Sequence, residues 1–170
     1  MTEDIPIKYI AGLDAYQDEA FKTAVFPPEI GPLYCAMGIL GEAGEMVDVV
    51  LGVMDRAIGE NPEFNTKDLQ WITSQLKEAV KVCSAIEVIK KHARKGRYKL
   101  NPIPSLTDGE RDRIRAEGGD GLWYAGVMAR VAGWQLSDVA QGNIKKLRER
   151  RDAGVIASAG ETIKERKTNA

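Results

Sequence analysis

Apolar residues in this chain recur at intervals of three and four rather than two, the period of helices with one buried face. Five helical segments follow. The first is predicted from about Asp14 to Ala24, with Asp14 and Gln17 at capping-box spacing and Pro27 and Pro28 as its stop. The second spans about Pro32 to Met54 and the third about Thr66 to Lys95, closed by Gly96. After the linker Asn101-Pro102-Ile103-Pro104-Ser105, the fourth runs to about Val131. Thr107 and Glu110 form its capping box and Gly133 ends it. The fifth covers about Ser137 to Arg151.

Within the second segment, Leu33, Met37, Leu40, Gly44, Val47, Leu51 and Met54 alternate at four and three, the spacing of a helix seam. Ile39, Met46, Val49 and Val53 make another apolar stripe, so this helix is expected between partners. In the third segment Leu69, Ile72, Leu76, Ala79, Cys83 and Ile86 form a core or oligomer stripe.

Composition narrows the chemistry. In 170 residues, 24 Lys plus Arg balance 25 Asp plus Glu, which argues against a general nucleic-acid binder. One His and two Cys 48 positions apart exclude a His-rich or CxxC metal site and a disulfide framework, and fit a reduced, intracellular setting. The N-terminal MTEDIPIKYI has no apolar run of a signal peptide, and no apolar stretch reaches membrane-spanning length.

Carboxylates are then the candidate chemistry. Glu42, Glu45 and Asp48 step by three along one ridge of the second helix. The plainer reading is a solvated acidic ridge. The fourth helix weighs against it, because Glu117 and Asp120 repeat the spacing within Glu117-Gly118-Gly119-Asp120-Gly121. Three mid-helix glycines, each costing about 1 kcal/mol relative to Ala, suggest close approach of a neighbouring helix or a ligand. Acid pairs offered by two helices are how bundles build metal sites. Without His or Cys they select a hard cation, Mg²⁺ with Mn²⁺ as the alternative, and so point to phosphate esters. On the fifth helix Asn143, Lys146 and Arg150 share a stripe beside the apolar side made by Leu136, Val139, Ala140 and Leu147, and could hold phosphates. Lys145, Arg148 and Glu149 fall on the solvated side. A basic last turn complementing the helix dipole is the competing account of Arg148, Arg150 and Arg151.

These residues carry a resemblance. Gly41-Glu42-Ala43-Gly44-Glu45 and Glu117-Gly118-Gly119-Asp120 resemble the ExxE…ExxD signature of the MazG-like nucleotide pyrophosphohydrolases, in the all-α nucleoside triphosphate pyrophosphatase superfamily. Tyr16-Gln17, Ala20 and Thr23 resemble the family's YQxxAxxT, Leu122-Trp123-Tyr124 its LWY, and Asn143 to Arg150 its NxxKLxxR. Gly154 and Arg166 fall where the family has a Gly-containing tail ending in Arg. The likeness covers about two-thirds of the chain. Two departures stand out. Residues from about 51 to 82 look inserted, and Gly118 and Gly121 replace usual apolar residues.

The resemblance implies an all-α helical bundle completed by oligomerisation to a homodimer or homotetramer. The domain would span 1–152, with the inserted helical segment at about 51–82 and a tail at 153–170. The implied activity is hydrolysis of a nucleoside triphosphate to monophosphate and pyrophosphate. Guanine nucleotides, GTP or dGTP, are favoured because phage-encoded members include ones acting on them. A dUTP, dCTP or phosphoribosyl-ATP type is the alternative within the superfamily, and an inactive oligomeric scaffold the alternative outside it. Glu42, Glu45, Glu117 and Asp120 would hold Mg²⁺, with Asp48 as a further ligand and Glu45 as general base. Asn143, Lys146 and Arg150 would bind phosphates, helped by Lys90, Lys91 or Arg94. A basic helix end explains those last three equally. Trp123 and Tyr124 are candidates for stacking on the base, although core or interface packing is their commoner use. The protein would lie in the cytoplasm, the host's if phage-encoded, without membrane or stable nucleic-acid partners.

Overall fold

The computed structural model describes residues 12–98, 102 and 104–155. These hold five α-helices and no strand: α1 (Leu13–Phe21), α2 (Gly31–Glu60), α3 (Lys67–Arg94), α4 (Asp108–Val131) and α5 (Leu136–Asp152). Short 3₁₀ turns at Pro28–Ile30 and Pro62–Phe64 precede α2 and α3. The all-α expectation holds. Arg166, most of the expected tail and part of the Asn101–Ser105 linker lie outside the described residues. Among the described residues no helix is long and apolar enough to cross a membrane.

Helix ends follow local chemistry. Thr107 Oγ1 accepts from the Glu110 amide, while the Thr107 amide donates to Glu110 Oε2 at 2.8 Å. The amide bond first, then the Thr107 hydroxyl, hold the Glu110 carboxyl below its ordinary value. The cap is therefore intact at neutral pH and is lost as pH falls through that lowered value. Thr66 caps α3 by accepting from the Leu69 amide. At the other ends Gly96, Gly133 and Gly154 take positive φ of 64°, 80° and 67°. The amides of Arg97, Trp134 and Val155 then reach back to the carbonyls of His92, Ala129 and Arg150, closing three Schellman turns. The capping box expected at Asp14 and Gln17 does not form. Gly12 occupies the cap position, with no side chain capping the helix, and Asp14 falls in the first turn.

The described residues fall into two compact units, one of 26–98 with 102 and one of 12–25 with 104–155. In the first, α2 and α3 pair as an antiparallel hairpin, about 45 Å long for α2 at 1.5 Å per residue. Leu51, 2% exposed, and the buried Gly41 and Gly44 mark the α2 side of the seam. On α3 the buried or half-buried positions are Leu69, Thr73, Leu76, Val80, Cys83, Ile86, Glu87, Lys90, His92, Ala93 and Arg94. Of the expected core or oligomer stripe, Ile72 and Ala79 are exposed in the single chain and do not join the α2 seam. Polar residues took their places: Thr73 satisfies its hydroxyl on the Leu69 and Gln70 carbonyls. Leu33 and Leu40, expected in the seam, are exposed instead, and so are Ile39, Met46, Val49 and Val53 of the second apolar stripe.

The glycines of α2 differ in what surrounds them. A Cβ at Gly44 would overlap Cys83 Cβ and lie 3.1 Å from its Sγ, whereas one at Gly52 would meet nothing within 4 Å. Gly44→Ala should therefore destabilise by about 1–3 kcal/mol through overpacking, and Gly52→Ala should stabilise by about 1 kcal/mol through helix propensity. Urea unfolding of both variants checks this. Shifts of the same sign would remove the close-approach account of Gly44.

In the second unit α1 and α4 pack on α5. Ile144 of α5 is 1% exposed, and Ala129 near the end of α4 is also buried. Ile144 replaces Leu136 and Val139, expected on the apolar side but 38% and 45% exposed. Glu19 on α1 is buried and forms ion pairs with Arg148 of α5 and with Lys22 at 2.6 Å. Arg148 is accordingly not on a solvated face. Its stem lies on the Ile144 side of the helix, and its guanidinium meets a carboxylate 129 positions away in sequence.

Candidate functional site

The GEAGE segment of α2 splits by residue type. Gly41 and Gly44 are buried in the hairpin seam, while Glu42 and Glu45 flank them in exposed positions, followed one turn later by exposed Asp48. The glycines explain the placement. A Cβ at Gly41 would overlap the Glu87 side chain, which would have to shift, and one at Gly44 would overlap Cys83 Cβ, so glycine at 44 lets α3 come this close beside the acid pair. The second pair, Glu117 and Asp120, is exposed on α4. Within that unit nothing approaches a Cβ built on Gly118, Gly119 or Gly121, so the close neighbour expected there is not supplied by its own helices.

Ion pairing alone does not single out these acids, because Asp14, Asp18, Glu29, Glu60, Glu63, Asp68, Glu110, Asp138 and Glu149 also enter no ion pair among the described residues. Glu19, Asp55, Glu78, Glu87, Asp108, Asp112 and Asp152 each meet a Lys or Arg. Among the described residues Glu42, Glu45, Asp48, Glu117 and Asp120 have no such partner. Carboxylates at i, i+3 left without counter-charge repel one another. Each pair by itself offers oxygen ligands of the kind a hard divalent cation takes. Among the described residues no three His, Cys, Asp or Glu stand close enough together to hold a metal ion.

The candidate phosphate donors Asn143, Lys146 and Arg150 all lie on α5. Lys146 and Arg150 are exposed, and among the described residues neither enters an ion pair. Asn143 is half-buried at the edge of the α1 contact, where Tyr16 Oη donates to its Oδ1 at 3.2 Å. The Tyr16 phenol is protonated in the neutral range, and burial raises its pKa further.

The basic end of α3 is less uniform than its sequence suggests. Lys90, only 12% exposed at its side chain, pairs with Glu87, and a Cβ at Gly38 would lie 3.8 Å from its Nζ. Lys91 stays largely exposed, 3.7 Å from the same carboxylate, and Arg94 is half-buried. His92 sits between Tyr98, 3.4 Å from Nδ1, and Arg97, 3.2 Å from Nε2. Trp123 and Tyr124 are 61% and 68% exposed and meet edge to face at 4.9 Å. Sequence reasoning missed Glu19 and Glu87. A clue to Glu87 existed, since it stands three and four positions before Lys90 and Lys91.

The chain is 28% identical over 155 residues to the Gene 37 protein of Mycobacterium phage L5, covering 88% of this chain and 96% of that protein, which is consistent with a phage-encoded member. No solved structure matches it. The family model of the MazG nucleotide pyrophosphohydrolase domain matches residues 32–155, from the start of α2 to just past α5, and takes in both acid pairs and the α5 stripe. With that match over most of its length, the chain belongs to the MazG nucleotide pyrophosphohydrolases and is an enzyme of the nucleoside triphosphate diphosphatase kind.

Proposed function

We propose that the chain hydrolyses a purine or pyrimidine nucleoside triphosphate to the monophosphate and pyrophosphate with Mg²⁺, Mn²⁺ being the alternative ion. The observation that carries this reading is the set of unpaired carboxylates at matching spacing on α2 and α4, inside the matched family domain. Glu42, Glu45, Glu117 and Asp120 would hold the ions, with Asp48 as a further ligand. Bound divalent ions would neutralise the triphosphate and lower the pKa of the attacking water. Glu45 takes the proton of that water as its oxygen bonds to the α-phosphorus. The α–β phosphoanhydride bond breaks and pyrophosphate leaves. Asn143, Lys146 and Arg150 hold the phosphate oxygens, and Arg150 is suited to two-point contact. Lys91 and Arg94 are auxiliary donors, while Lys90 would first have to leave Glu87. Trp123 or Tyr124 stacks on the base.

The working form is a homodimer or homotetramer. Leu122, Trp123, Tyr124, Val131 and Trp134 are all more than half exposed in the single chain, a large apolar surface for a stable monomer. Guanine nucleotides are the first substrates to test, given the likeness to a phage protein.

Release of pyrophosphate should be measured over GTP, dGTP, dUTP, dCTP and phosphoribosyl-ATP with Mg²⁺, on a preparation whose mass is fixed by light scattering. Turnover of at least one, by a species heavier than the 18.7 kDa chain, is expected. No turnover of any nucleotide would leave the inactive scaffold as the better account.

A further inference from the structure

We infer that Tyr16 is a positioning residue for phosphate binding, acting through Asn143. This rests on the reading above that Asn143 contacts the triphosphate. A carboxamide has an accepting end and a donating end, and a rotation of half a turn exchanges them. Only the Nδ2 end can donate to a phosphate oxygen. The Oδ1 end would set one acceptor against another.

The chain fixes that choice through α1. Tyr16 Oη donates to Asn143 Oδ1 at 3.2 Å. This holds the accepting end on the α1 side and leaves both Nδ2 hydrogens for a ligand on the other. The contact joins α1 to the stripe that also carries Lys146 and Arg150. Both side chains are half-buried, so water competes less for this bond than it would at an open surface. The phenol suits the task because it is protonated in the neutral range, and burial raises its pKa further, whereas a tyrosinate would draw Nδ2 toward itself and turn the amide around.

The test is a double-mutant cycle with Tyr16→Phe and Asn143→Ala, using the nucleotide turned over fastest in the substrate panel. Tyr16→Phe keeps the ring and removes only the hydroxyl. It should raise KM about three- to tenfold, the worth of one hydrogen bond, with kcat within about twofold. Non-bridging phosphate oxygens carry similar charge in substrate and transition state, so the contact counts as uniform binding. In the Asn143→Ala background, Tyr16→Phe should change KM no further.

Three results overturn the inference. One is an unchanged KM in Tyr16→Phe while Asn143→Ala weakens binding, which leaves the phosphate role of Asn143 standing. Another is a full Tyr16→Phe effect in the Asn143→Ala background, which assigns Tyr16 to packing alone. The third is wild-type KM in Asn143→Ala, which removes the underlying reading of Asn143 as well.

Discussion

Glu45→Gln and Asp120→Asn should each lower kcat/KM by about 10³-fold while leaving the helical circular dichroism unchanged. The size follows from the charge removed. A ligand to a catalytic divalent ion supports several kcal/mol of transition-state charge stabilisation, and each 1.36 kcal/mol is about a tenfold change in rate. The fold should not suffer, because both side chains are exposed and have no ion-pair partner among the described residues. Removing one of two like charges at i, i+3 should even relieve a few tenths of a kcal/mol of repulsion. Asp112→Asn is the control. It lies on the same helix as Asp120 and is exposed, but is paired to Arg115 at 2.8 Å, so it should leave kinetics unaltered. Wild-type rates in Glu45→Gln and Asp120→Asn would remove the metal-site assignment. Equal losses in all three would show a general effect of α2 and α4 charge instead.

Glu19→Ala should be the most damaging single change to stability, at about 3–5 kcal/mol, because it removes the carboxylate from a buried ion pair. The Glu19 side chain is 1% exposed and the Arg148 side chain 15%. By comparison, the Lys81–Glu78 pair is about 70% exposed on both sides, and Lys81→Ala should cost about 0–1 kcal/mol. Thermal unfolding separates them. In a chain of this size 3–5 kcal/mol lowers the midpoint by roughly 6–20 °C. Replacing both partners, Glu19→Leu with Arg148→Met, should recover most of the loss, since apolar groups of similar volume bear burial without desolvated charge. A midpoint shift for Glu19→Ala no larger than that for Lys81→Ala would contradict this reading.

What the sequence made legible depended on the range of the interaction. Helix ends are local. Thr107 with Glu110, and Gly96 and Gly133 as stops, are found where the spacing placed them, because cap and partner lie within a turn of each other. Asp14 with Gln17 failed although the spacing was equally good, since Gly12 starts the helix two positions earlier. Seams were harder to place. The α3 stripe was drawn through Ile72 and Ala79, because apolar residues outrank Thr73, Glu87 and Lys90 on any hydropathy scale. Yet each of those polar residues has a local partner that lets it occupy the seam. Distance in sequence hid the rest. Nothing near Arg148 says that its carboxylate is Glu19, and nothing near Asn143 says that its oxygen is held by Tyr16. The acid pairs were legible as candidates because like charges at i, i+3 without nearby cations are costly unless a ligand offsets them.

The α2–α3 hairpin makes the length of this enzyme a free variable. Gly38, Gly41 and Gly44 meet Lys90, Glu87 and Cys83 in antiparallel order, and farther along Asp55 meets Lys77 at 3.1 Å. In such a ladder, a heptad added to both arms beyond Leu51 returns every seam position to the same face. The hairpin can thus grow or shrink at its tip while the orientation of Glu42 and Glu45 is preserved at its base. Evolution could therefore tune the tip as a surface for other contacts without renegotiating the chemistry.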